Sequence, residues 1–188
     1  MAKPKSDEKR EAIMAAAARV IARQGLGAPT AVIAREAGVA NGTLFTYFET
    51  KADLFNALYL ELKSELAHVS LKGVPVTAGL REQMYHLWSR SMAWAMSHPE
   101  KRRALAQLGV SDEITPASRE AGHKAMAGIA ALLQRCRAKG PMRQVPMGFI
   151  VAIMNAMGDA TMDFMIHDPA NAKKHVKAGF DALWRVLT

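Results

Sequence analysis

The chain is 188 residues long, with 25 Lys and Arg against 17 Asp and Glu, a formal net charge of +8, and a single cysteine. A chain of this length can bury a sizeable core, as one domain or as a small domain joined to a larger one. Cys136 alone excludes an internal disulfide and a cysteine-ligated metal cluster; no apolar run approaches the roughly 18 residues of a membrane span, and Glu11 and Arg19 interrupt the apolar stretch that a signal peptide needs. A cytoplasmic protein with no membrane partner is expected.

The charge is unevenly spread. Residues 1–65 hold nine Lys/Arg against eight Asp/Glu, a net of +1, and the remainder holds sixteen against nine, a net of +7. A basic balance agrees with nucleic-acid binding, yet its distribution makes it weak support for a DNA-reading role of the N-terminal part.

In chain order, Ala12, Ile13, Ala16, Ala17, Val20 and Ile21 form one face of a first helix over residues 7–24, ended by Gly25. Lys3, Lys5, Lys9 and Arg10 are candidates for phosphate contact or simply a solvated terminus. Leu26 can pin the following loop, and Pro29 sits where a helix can begin. From Thr30 to Lys51, Val32, Ile33 and Ala37 recur at helical spacing, the pattern breaks at Gly38, and Leu44, Tyr47 and Phe48 resume it. Two short helices joined by a tight glycine turn are predicted, the second over Asn41–Phe48. Each is too short to persist alone, and the small Ala34 and Ala37 allow a close crossing. An ordinary helical hairpin is one reading of this unit. A helix-turn-helix is the other, favoured because the outer face of the second helix carries Asn41, Gly42, Thr43 and Thr46 in place of Glu and Lys.

Here the sequence resembles the TetR family of transcriptional regulators. The resemblance rests on Ile33-Ala34, Ala37-Gly38-Val39, Gly42-Thr43-Leu44-Phe45, Tyr47-Phe48 and Lys51, followed by Asp53-Leu54-Phe55, and covers about the first 60 residues. It implies that Asn41, Thr43, Phe45 and Thr46 face bases or the groove wall, that Gly42 permits close approach, and that Thr30, Tyr47 and Lys51 meet phosphates. The chain departs from the family pattern at three places. Ala40 replaces a capping Ser or Thr before the second helix, Phe45 replaces a Tyr, and Ala31 leaves the first helix without a base-reaching side chain.

A longer helix follows from Thr50 or Lys51 to about Val69, with Leu54, Leu58, Leu62 and Leu66 four apart, and reads as the mechanical link between head and body. Gly73, Pro75 and Gly79 mark a loop and a boundary. The expected organisation is a helix-turn-helix domain over 1–50, a connecting helix over 51–70 and a ligand-binding and dimerisation domain over 71–188. Body helices are predicted over about 76–97, 99–108, 116–139, 146–167 and 169–187, an all-α fold of about nine helices. In the helix from Met147 to His167 one stripe is Met147, Val151, Met154, Gly158, Thr161 and Met165, and a second is Phe149, Ile153, Ala156, Met157, Ala160 and Phe164. Two apolar stripes suit either the central helix of a monomeric bundle or a helix whose second side meets another subunit. In the second case Phe149, Ile153, Ala156, Ala160 and Phe164, with Phe180 and Trp184 of the last helix, form a homodimer interface, as the family resemblance implies.

No catalytic set stands out. His68, His86, His98, His123, His167 and His175 make no metal-ligand spacing, and neither a phosphate-binding glycine loop nor a nucleophile elbow occurs. Asn155, Asp159 and Asp163 read as a polar lining or a solvated stripe, and Cys136 as core beside Ile129, Leu132 and Leu133. Twelve methionines suit either gap-filling in a bundle or a cavity that re-packs around a ligand. For the cavity, Met84, Trp88, Met92, Met126 and Met154 are the expected walls, with Tyr85, His86 or His123 as polar contacts. The expectation is a homodimeric, non-enzymatic transcriptional regulator, a repressor released from its double-stranded DNA operator by a small, mostly apolar effector, with no cofactor or metal. The alternative is a helical small-molecule-binding protein or enzyme with a vestigial DNA-binding head.

Overall fold

The structure, a computed structural model, describes residues 5–188, with side chains from residue 7 onward. Lys3 and the side chain of Lys5, two of the cations singled out above, lie outside the described residues. Ten α-helices and one 3-10 turn follow one another: α1 Lys5–Gln24, α2 Thr30–Glu36, α3 Asn41–Tyr47, α4 Lys51–Leu71, α5 Leu80–Ser97, α6 Pro99–Gly109, α7 Pro116–Ala125, α8 Ala127–Arg137, α9 Met147–His167, the turn Pro169–Asn171, and α10 Ala172–Leu187. Among the described residues there is no strand.

The chain forms two compact units. The first takes residues up to Glu65 together with His98–Ala125. Ile13, Ala17, Val20 and Ile21 of α1 meet Ile33 and Ala34 of α2, Leu44 of α3, Phe48, and Leu54 and Leu58 of α4 in one buried cluster. Ala104 and Leu108 of α6 are buried in the same cluster, and the Gln107 amide donates to the Ile21 carbonyl at 3.2 Å, a second bond to an oxygen that already accepts the Gly25 N–H (2.9 Å) at the end of α1. Asn56 of α4 fastens the segment after α6. Its amide donates to the Glu113 carbonyl (2.8 Å) and its carbonyl oxygen accepts the Thr115 N–H (2.9 Å). Helices α6 and α7, which follow the body's first helix in sequence, therefore pack with the head.

The second unit takes Leu66–Ser97 and Met126–Thr188. Its core holds Met84, Leu87, Trp88, Leu133, Ile150, Phe180 and Leu183. The Trp88 indole N–H donates to the Val176 carbonyl (3.0 Å), so this large ring is buried without leaving its polar atom unpaired. Arg137 is also buried, and its guanidinium donates to the carbonyls of Met142 and Val145 and to Gln134, tying down the chain between α8 and α9. A buried guanidinium is tolerable only with such partners.

Several predicted boundaries shift. Helix α5 begins at Leu80 and not near Val76, because Ala78 closes a turn on Pro75 and the Gln83 amide donates to the carbonyls of Ala78 (2.7 Å) and Val76 (3.3 Å). The single helix predicted over 116–139 is broken at Met126 (φ −90°, ψ 4°) into α7 and α8. The last helix starts at Ala172 after a 3-10 turn, and the described residues hold ten helices beside the expected nine or so. Helix α9 is also long and apolar enough, by length and composition, to cross a membrane, contrary to the expectation that no run comes near that length. Its outward stripe is exposed: Phe149 is 57% and Phe164 63% accessible, and Ala156 and Ala160 are open to solvent, whereas Ile150, Gly158, Thr161, Met162 and Met165 are buried.

Candidate nucleic-acid interface

The turn between α2 and α3 is set by hydrogen bonds that only one backbone path allows. At the end of α2, Val39 N–H donates to Ala34 C=O (3.0 Å) and Gly38 N–H to Arg35 C=O (3.1 Å), with Gly38 at φ +70°. This pair of bonds, closed by a left-handed residue, stops a helix and turns the chain sharply, and a side chain at Gly38 would strain it. Ala40 then takes the extended N-cap position of α3 (φ −67°, ψ 147°), and no side chain caps that helix, as its alanine implies.

Within α3, Leu44 is fully buried and Phe48, just past the end, is nearly so, which fixes the rotation of the helix. Asn41, Gly42, Phe45 and Thr46 are consequently exposed, and Thr43 and Tyr47 are half-buried. The Thr46 hydroxyl donates to the Gly42 carbonyl (3.2 Å), so it faces outward chiefly as an acceptor. Thr30, the first residue of α2, is half-buried. Helix α4 opens with a reciprocal cap: Thr50 N–H donates to the Asp53 carboxylate (3.0 Å) while Asp53 N–H donates to the Thr50 hydroxyl (3.0 Å). Lys51 follows directly, its ammonium 5.3 Å from the centre of the Phe55 ring. A cation in the first turn opposes the helix dipole, so its favourable partner is an anion beyond the helix end. Arg19 (2.8 Å) and Arg23 (2.8 Å) both clamp Glu36, pinning α2 to α1, and Arg19 followed by Arg23 holds the Glu36 carboxyl below the usual carboxylate range. The assembled surface is a short helix with a small, polar, exposed N-terminal face beside a lysine, which is the shape and chemistry that a DNA major groove admits.

Residues 13–58 match the family model described as bacterial regulatory proteins, tetR family. The chain is similar over 94% of its length to a tetR-family transcription regulator from Shewanella sp. PV-4, with 29% identity, a TM-score of 0.82 and 96% of that chain covered. Residues 13–58 are thus a TetR-type N-terminal segment, and the whole chain is similar to TetR-family transcriptional regulators. Two further solved structures share the fold. A TetR-family regulator from Marinobacter aquaeolei VT8 is 20% identical with a TM-score of 0.84, covering 97% of each chain. The TetR-like regulator LfrR from Mycobacterium smegmatis, solved in complex with proflavine, is 18% identical with a TM-score of 0.70, covering 96% of this chain and 98% of that one. The matched segment and these neighbours support a DNA-binding transcriptional regulator, with the matched residues 13–58 lying in α1–α4.

Away from the head, the sequence-predicted ligand residues are spread between core and surface, and Tyr85 and His86 among them line a groove described below. Met84, Trp88 and Met92 are buried at 0%, 2% and 6% exposure, and the Trp88 ring lies against Gly158 and Gly179. Met126 and Met154 are half-buried, Tyr85 is exposed, and His123 is exposed in the other unit. Three of the expected cavity walls are thus buried core residues. A groove of about 650 Å³ instead opens beside them, lined by Arg81, Glu82, Tyr85, Lys177, Phe180 and Asp181 among others. Sequence reasoning missed its charged members because each reads singly as a solvated helix face.

Of the residues expected at a subunit interface, Phe149, Ile153, Ala156, Ala160 and Phe164 share the outward face of α9. Phe180 is 1% exposed, packed edge-on to Tyr85 and stacked with the half-buried Trp184, so its ring is occupied within its own protomer. The α10 residues that continue the α9 stripe are His175, Ala178 and Gly179, which share a groove of about 300 Å³ with Ala160, Thr161 and Phe164.

Proposed function

We propose that this regulator acts in the cytoplasm as a homodimeric repressor that leaves its operator when a small molecule binds the second unit. The observation that carries DNA reading to particular residues is the exposed face of α3. Asn41, Thr43, Phe45 and Thr46 meet bases or the groove wall, Gly42 lets the backbone approach, and Thr30, Tyr47 and Lys51 hold phosphates. In support of the dimer, α9 leaves an apolar stripe containing Phe149 and Phe164 in water, more than a monomer's surface helix requires. For a small-molecule effector, the fold neighbour LfrR was solved with proflavine bound. The head, 1–50, then reads DNA, α4 over 51–70 couples it, and the ligand and dimer surfaces lie in the rest of the chain.

Selecting bound duplexes from a random pool with the purified protein tests this reading. A roughly two-fold symmetric consensus is the expected outcome. On that consensus, Lys51→Ala weakens binding about equally for all sequences and reduces the slope of log affinity against log salt by about one unit, whereas Thr43→Ala changes which bases are preferred. Equal losses from both variants on operator and random DNA would reject the division of roles.

A further inference from the structure

Helices α5 and α10 leave a groove lined by the exposed Tyr85 ring, with Arg81 and Lys177 beside Glu82 and Asp181 at its rim. Tyr85 packs edge-on to Phe180 with ring centres 5.0 Å apart, and the Arg81 guanidinium lies 5.5 Å from the centre of the Phe180 ring. Asp181 bridges two cations, accepting from Arg81 at 2.5 Å and from Lys177 at 2.7 Å. Each cation spends one donor on that carboxylate, although a guanidinium carries five and an ammonium three. The side chains of Arg81 and Lys177 are 55% and 67% exposed, so their remaining donors point to solvent and not to the protein. Asp181 is one acid among three bases, since Arg185 also acts on it, and Lys177 foremost holds its carboxyl below the usual range. The lining balances in formal charge, Arg81 and Lys177 against Glu82 and Asp181, but Asp181 is 25% exposed and already holds both cations, so the open donors of the rim face only one open acid, Glu82.

The charge of the surrounding elements agrees. The second unit holds eleven Lys/Arg against five Asp/Glu, a net of +6, whereas the DNA-reading unit holds fourteen against twelve, a net of +2. Helix α10 also begins with Lys173, Lys174 and Lys177 and has no acid in its first turn, an order of charge that its dipole disfavours. Most of the net positive charge thus lies in the unit that holds the groove and not in the unit that holds α3.

We propose that the groove between α5 and α10 binds a small amphipathic carboxylate, an acid on an aromatic or short acyl body, with its carboxylate bridging Arg81 and Lys177 and its body on the exposed Tyr85 ring. The two cations and two carboxylates then alternate in sign. Calling this compound the regulator's effector rests on the function proposed above; its binding does not.

The test uses full-length protein, without DNA, and three probes that share one body: 4-phenylbutyrate, its neutral amide and 4-phenylbutylamine, titrated by calorimetry. The carboxylate is expected to bind about tenfold or more tightly than either analogue, the worth of one desolvated charge-assisted contact. Arg81→Gln with Lys177→Gln should abolish that preference. Glu82→Gln, which removes the opposing charge and leaves packing intact, should tighten carboxylate binding by roughly threefold and weaken that of the amine. Equal affinity for the acid and its amide, an unchanged preference in the double variant, or no binding of any probe at millimolar concentration would overturn the proposal. Duplex selection is read separately: protein that selects an operator but fails with the carboxylate rejects the groove alone, and protein that binds the carboxylate but selects no duplex rejects the regulator reading alone.

Discussion

Glu36 shows how one carboxylate can set the pose of a reading head. It sits in the last turn of α2 and receives Arg19 and Arg23 of α1, so the helix that precedes the turn is held to the helix beneath it. Its folded pKa is depressed below the ordinary 4.5, Arg19 being the first cause. A depressed carboxylate contributes stability that is present above its unfolded pKa and is lost as pH falls through the folded value. Glu36→Gln is therefore expected to lower the melting temperature at neutral pH, and the gap from the parent protein should close as pH is taken well below 4.5. Both arginines are partly exposed, so the effect is small and shrinks with salt. A melting gap that persists unchanged in acid would mean that the clamp contributes nothing through charge.

At the scale of elements, the seam between α9 and α10 is set by close packing of small residues. A side chain at Gly179 would run into the Thr161 hydroxyl, and its Cβ would stand 3.1 Å from the Trp88 ring. Thr161 cannot easily yield, since its hydroxyl donates to the Met157 carbonyl (2.7 Å). Gly179→Ala should thus cost about 1–3 kcal/mol by overpacking despite the better helix propensity of alanine. Thr161→Ala in the same chain should recover part of the loss, and denaturant unfolding of the two singles and the double measures that coupling. Nothing local to Gly179 announces this contact, which illustrates what the sequence does and does not make legible. The helix-turn-helix was readable because apolar spacing, Gly38 and the buried pair Leu44 and Phe48 all act within about two dozen residues. The break at Met126 was not, because Gly122 and Gly128 flank it without marking it, and Ala125, Met126 and Ala127 between them have helical propensity. That α6 packs on α1 depends on Ala104, Leu108 and Gln107 meeting residues more than eighty positions away. The α5–α10 groove likewise joins Arg81 to Asp181, one hundred residues apart, and periodicity within one helix carries no information about such a partner.

For the whole molecule, the exposed stripe of α9 decides how many copies act together. Phe149 and Phe164 stand more than half exposed with Ala156 and Ala160 between them, and the small residues permit a second helix to approach closely. If a second copy covers this stripe, two heads are carried on one symmetric body and meet two half-sites, so the second contact forms at the high effective concentration that linkage supplies. Phe164→Asp places a charge in that face at a position already open to solvent in the protomer, so the fold itself should survive with an unchanged far-ultraviolet spectrum and little loss of melting temperature beyond that caused by dissociation. Sedimentation should then show a monomer at micromolar concentration where the parent is a dimer. Affinity for a two-half-site operator should fall by about a hundredfold or more, while affinity for a single half-site stays the same within about twofold. A parent protein that sediments as a monomer, or a Phe164→Asp variant that remains dimeric, would remove the stripe from the interface, and equal losses on one and two half-sites would locate the defect in the head instead of in the pairing.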